Sequence, residues 1–141
     1  MLKLIRARRK NGEKGQALVE FTLLLPIFLL LLFAIIDFGM GFYSWISVTN
    51  GAREGARIGV VMATEQQIKD QVFQAVSLPN ESTKMTVTVT NAQGQPGQSV
   101  VVKVDYKYDL ITPLAGIVSF VSGNVIGPTL TFSSTADMRL E

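Results

Sequence analysis

The sequence predicts an α+β protein: a long N-terminal transmembrane helix, a second short helix, and a small antiparallel sheet of about three strands. Three observations predict it. Residues 21–36 contain no charged side chain, and residues 17–36 would cover about 30 Å as a helix, the thickness of a bilayer core. Past Pro79 the hydrophobic period falls from that of a helix to two, the period of a half-buried strand. A breaker-rich loop, with Gly94, Pro96 and Gly97, then separates two alternating runs, as in antiparallel pairing.

The chain has 141 residues with no cysteine and no histidine. Disulfides and thiolate metal sites are therefore excluded. The usual metal ligand and the usual general base are missing with histidine. No cluster of carboxylates, lysines and hydroxyls replaces them, so the expectation is a protein that is not an enzyme, with no cofactor, no metal and no small-molecule substrate. The formal charge is +2, but it divides unevenly at Gly15. Lys3, Arg6, Arg8, Arg9, Lys10 and Lys14 stand against Glu13 alone, so residues 1–15 carry six minus one, +5. The remainder carries seven basic groups and ten acids, or −3, which leaves no basic face for nucleic acid.

Residues 1–15 read as a cleavable basic leader and 16–62 as the long helix, with its span at about 17–36. Glu20 is the anomaly, because a carboxylate at the mouth of an apolar span is costly unless it finds a partner. Pro26 cannot donate to the carbonyl of Thr22, so a bend is expected there, with the Thr22 hydroxyl available for local repair. An ordinary secretory signal would need small residues at a cleavage site after the apolar run. Instead Asp37, Phe38, Phe42, Tyr43 and Trp45 follow, which suits an aromatic belt at the membrane surface; Asp37 itself either marks the outer end of the span or contacts another subunit.

Gly51, Gly55 and Gly59 then fall at i, i+4 and i+8, beside Ala52 and Ala56. Each glycine costs a helix about 1 kcal/mol relative to alanine. Three on one face point to a continuous helix whose backbone something approaches closely. The short helix is expected within 63–79, opened by the capping-box pair Thr64 and Gln67 and carrying an apolar stripe of Ile68, Val72, Phe73 and Val76. Leu78, Pro79 and Asn80 stop it.

Residues 80–141 read as an external β domain. Met85, Val87 and Val89 alternate with threonines. Val100, Val102, Val104, Tyr106 and Tyr108 share one face of a long strand, and Lys103, Asp105, Lys107 and Asp109 share the other. The third strand runs from about 129 to 140, with Leu130, Phe132, Ala136, Met138 and Leu140 expected on its buried face. The apolar segment 111–123 is too short to span a bilayer. It is either a core-covering loop or short amphipathic helix, or an apolar contact with another subunit or with the membrane surface.

The motif Gly15-Gln16-Ala17-Leu18-Val19-Glu20-Phe21, the Leu25-Pro26 step, Ile36-Asp37-Phe38-Gly39 and the block Thr49-Asn50-Gly51-Ala52-Arg53-Glu54-Gly55-Ala56-Arg57 together resemble the TadE-like family. These are pilin-like minor components of tight-adherence (Flp) pili, a branch of the type IV pilus machinery. The resemblance covers about residues 12–60. It implies a minor pilin or pseudopilin, with a prepilin peptidase cutting between Gly15 and Gln16. The implied place is the cytoplasmic (inner) membrane as a single-pass protein, N-terminus inside and C-terminal domain outside, and then an extracellular pilus. The implied partners are the membrane, the peptidase, other pilin or pseudopilin subunits and the assembly platform. Glu20 becomes the assembly residue, pairing with the new α-amino group of a neighbouring Gln16. The alternative is a permanently anchored single-span protein whose external β domain binds another protein.

Overall fold

The computed structural model describes residues 2–123, 127 and 129–140, with side chains from residue 15 onward. The basic side chains of the leader, between residues 3 and 14, thus lie outside the described residues. The chain divides into two compact units, Met1–Ile36 and Asp37–Glu141. Helix α1, Leu2–Gly59, runs through the boundary between them and through Pro26 without interruption.

In the first unit the apolar side chains of α1 face outward all round. Leu18, Phe21, Leu24, Ile27, Phe28 and Leu31 are each more than half exposed. A helix that is apolar on every side needs an apolar surrounding. One window of α1, with mean hydropathy 2.7, is long and apolar enough to cross a membrane. The Thr22 hydroxyl donates to the Leu18 carbonyl at 2.8 Å. It therefore closes a turn before Pro26 and leaves the Thr22 carbonyl, which Pro26 deprives of a donor, to other partners.

The second unit holds the core. Here α1 is buried along one stripe, at Asp37, Gly41, Ser44, Val48, Gly51, Ala52, Gly55, Ala56 and Gly59. The spacing of three and four residues is that of a single helix face. The stripe is made of small residues, while Phe38, Phe42, Trp45 and Ile46 point out. Helix α2, Glu65–Ala75, begins at Thr64 with both arms of the capping box present. Gln67 N–H donates to Thr64 Oγ1 at 3.3 Å, and Thr64 N–H donates to Gln67 Oε1 at 2.9 Å. Two N–H groups that a helix start leaves without partners are thereby satisfied. Ile68 and Val72 face the core, as the stripe required.

A short helix, α3 (Glu81–Lys84), leads into β1 (Met85–Thr90); β2 (Ser99–Asp109) and β3 (Thr129–Arg139) complete an antiparallel sheet in the order β1-β2-β3. In the central strand β2 the five residues Val100, Val102, Val104, Tyr106 and Tyr108 are buried, and Lys103, Lys107 and Asp109 are exposed. Across the open face Thr86 is opposite Asp105 and Asp105 is opposite Ser133; Thr88, Lys103 and Thr135 align in the same way. Ala136 on β3 and Leu140 just past its end are buried, but Leu130 is 43% exposed, because the core does not extend to the beginning of that strand. Between β2 and β3 lies helix α4, Leu114–Val121, none of whose residues is buried. Of the expectations for this segment, the short helix is what forms.

Candidate functional site

Two places on α1 hold the residues the sequence singles out. The first is the start of the apolar stretch. Gly15 is open, with nothing within 4 Å of where a Cβ would stand. One turn separates Gln16 from Glu20, and the Gln16 amide Nε2 donates to Glu20 Oε1 at 3.1 Å. Both side chains are exposed. The carboxylate therefore meets one neutral donor from its own helix and no cation among the described residues, which leaves most of its acceptor capacity open.

The second place is the glycine face. A Cβ on Gly51 would overlap Val76 Cγ2. One on Gly55 would stand 2.5 Å from Val72 Cγ2 and 3.2 Å from Val102 Cγ1. One on Gly59 would lie 2.8 Å from Val100 Cγ2. The atoms that approach the helix backbone are thus branched methyl groups of α2 and β2 in the same chain. The ladder lets α1 seat against both layers of the core at once, and its backbone is covered by the chain's own valines.

On the outward side of this helix Arg57 grips Glu54 through two hydrogen bonds, at 3.0 and 2.6 Å. Gln71 from α2 reaches the same carboxylate at 3.4 Å. The pair is exposed, so it stabilises little by itself, but it joins the solvated side of α1 to α2.

One residue that sequence reasoning left as a marker or a contact is built in deeply. Asp37 is 4% exposed. Its Oδ1 accepts from the N–H groups of Ile111 at 2.9 Å and Thr112 at 3.3 Å, and its Oδ2 accepts from the Thr112 hydroxyl. Thr112 Oγ1 in turn accepts from Leu114 N–H at 3.3 Å, and Tyr108 donates its hydroxyl to the Asp37 carbonyl at 3.4 Å. A carboxylate held by several donors can be buried where a lone one could not. Its acceptors are used inside its own chain, which removes it as a contact with another subunit. The signal available in the sequence was only a lone acid one residue past an apolar run; its partners lie more than seventy positions away.

At the far end of β2 Asp109 Oδ2 takes Lys84 Nζ at 2.8 Å, and its Oδ1 accepts from Thr129 Oγ1 at 2.6 Å. The lysine ammonium first, then the threonine hydroxyl, holds the Asp109 carboxyl below its ordinary range. Among the described residues no three of His, Cys, Asp and Glu gather as a metal ligand set.

No curated protein and no solved structure matches the chain. The match that does occur begins at the open glycine and ends at the arginine of the exposed ion pair: residues 15–57 are similar to the family described as TadE-like protein.

Proposed function

We propose that the chain is a pilin-like structural subunit, a minor pilin or pseudopilin, of a tight-adherence type IV pilus or of its assembly machinery. It acts by assembly and not by catalysis. The observation that carries this reading is the start of the family match at Gly15, where the basic segment ends, with Glu20 and an outward-facing apolar helix immediately after it. A prepilin peptidase cuts between Gly15 and Gln16. The leader cations keep the N-terminus in the cytoplasm by the positive-inside rule, and the sheet domain stands on the other side of the inner membrane. In a pilus Glu20 exchanges its neutral Gln16 partner for the new α-amino group of a neighbouring subunit, so two charges that are costly apart in hydrocarbon satisfy each other. The pilin subunits and the assembly platform are its partners.

The test is the N-terminus of the mature protein. Mass spectrometry of membrane-extracted chain should find Gln16 as the first residue, and Gly15→Leu should retain Met1. Wild-type protein that keeps Met1 refutes the reading. It would instead favour a permanently anchored protein whose β domain binds another protein. The Gln16–Glu20 hydrogen bond at 3.1 Å supports that second reading, since it gives the carboxylate a partner without any neighbour.

A further inference from the structure

We propose that α4 is a membrane-surface anchor: its exposed apolar face, Ile117, Phe120 and Val121, lies in the headgroup layer of the bilayer that α1 enters. The inference rests on the membrane reading of α1. Phe120 is 88% exposed and Val121 79%, with Ile117 at 40% and Ile111 at 61% just before the helix. Positions 117, 120 and 121 are three and four residues apart and so share one side of a helix. Leaving such large apolar groups together in water is unfavourable, and a contiguous patch of this kind marks a surface that something apolar covers.

What covers it follows from where α4 is tied. The N–H groups of Ile111 and Thr112 and the Thr112 hydroxyl all donate to the carboxylate of Asp37, and Asp37 is the residue directly after the apolar stretch 17–36. The root of α4 is thereby pinned at the point where α1 leaves hydrocarbon. Eight residues of helix rise only about 12 Å. The headgroup layer is about 5–8 Å deep on each side of the hydrocarbon core, a depth that takes the apolar face of a helix lying flat on the surface. The composition agrees. No charged residue occurs between Asp109 and Asp137, whereas a segment facing water beside a sheet rich in lysine and aspartate would be free to carry them. Phe38, Phe42 and Trp45, exposed on α1 with ring centroids 5.1 and 6.5 Å apart in sequence order, supply the aromatic groups that favour the same layer.

The chain has no cysteine, so single cysteines can be placed cleanly. The full chain would be reconstituted in phosphatidylcholine–phosphatidylglycerol vesicles with a nitroxide at Phe120→Cys or Val121→Cys. Leu24→Cys, within the span, and Thr88→Cys, on the open face of the sheet, are the references. Collision with oxygen, which concentrates in lipid, is compared with collision with a water-soluble nickel chelate. The oxygen-to-nickel ratio at 120 and 121 should be several-fold above that at 88 and below that at 24. A ratio at 120 and 121 equal to that at 88 would place α4 in water and overturn the proposal. Low collision with both reagents would show a protein neighbour, such as a second copy, and would overturn it too. A water-like ratio at 24 would instead bring down the span itself, and the anchor with it, so the two failures are told apart.

Discussion

Replacing Gly55 by alanine sets two effects of known size against each other. In a helix interior alanine is favoured over glycine by about 1 kcal/mol. The new methyl, however, would stand 2.5 Å from Val72 Cγ2, 3.2 Å from Val102 Cγ1 and 3.4 Å from Ile68 Cγ2. All three belong to buried β-branched residues, which have few rotamers to retreat into. Overpacking of this kind costs about 1–3 kcal/mol, so the net change is from about zero to about 2 kcal/mol destabilising. Gly39 supplies the control, because nothing lies within 4 Å of its Cβ position and Gly39→Ala collects the helix preference alone. The difference between the two variants isolates the packing term. Thermal unfolding of the full chain in detergent, followed by near-ultraviolet circular dichroism, reads it. A change of 1 kcal/mol moves Tm by roughly 4–8 °C in a domain of this size. Gly55→Ala should therefore melt below Gly39→Ala by several degrees, and Gly55→Leu lower still. Equal melting of Gly39→Ala and Gly55→Ala would refute the close approach at Gly55.

Asp37→Ala should leave two backbone N–H groups and one hydroxyl without their acceptor, a loss on the order of 3 kcal/mol, with faster amide exchange at Ile111 and Thr112; unchanged exchange there would contradict the clamp. Glu20→Gln and Glu20→Ala should insert and be processed but be missing from sheared pili, and either one appearing there at wild-type levels ends the pairing role. The depressed Asp109 carboxyl binds its proton more readily in the unfolded chain, so its contribution is present above the unfolded value near 3.8 and is lost as pH falls through the lower folded one. Asp109→Asn should accordingly be slightly less stable than wild type at neutral pH and converge with it as pH falls below about 4, flattening the acid side of the stability curve; a curve that keeps the wild-type slope assigns the acid sensitivity elsewhere.

The architecture was legible because its determinants are local. Capping at Thr64 and Gln67 depends on a spacing of three. The faces of β2 depend on a period of two, and the close-packed stripe of α1 announced itself through glycines one turn apart. Contacts between positions far apart along the chain leave no such local trace. Nothing near Asp37 names Ile111 or Thr112, and a lone acid after an apolar run reads as a boundary or as an external contact. The continuation of that stripe toward Asp37 was hidden as well: Gly41 and Ser44, which no motif singles out, are buried beside the exposed Phe42 and Trp45. Leu130 shows a third limit, since alternation tells which side of a strand a residue occupies and not how far the core reaches along it. In the candidate site, Gly15, Gln16 and Glu20 are singled out by motif alone, and the motif does not name the hydrogen bond between Gln16 and Glu20.

A face of glycines repeated at every fourth position behaves like a ruler with identical marks. Slide α1 one turn along its neighbours, about 6 Å, and Gly55 falls where Gly51 was and Gly59 where Gly55 was, so the methyl groups of Val76, Val72 and Val102 still meet bare backbone. Apolar packing alone thus distinguishes poorly between neighbouring settings. The polar attachments are what make one of them unique. Asp37 can meet the 111–112 amides at hydrogen-bonding distance in a single setting, and the Tyr43 hydroxyl, which donates to the Ser77 carbonyl at 3.2 Å, selects the same one. After a one-turn slip the buried carboxylate would be left without its donors, a penalty no rearrangement of valines offsets. The clamp at Asp37 is therefore the index mark of the helix.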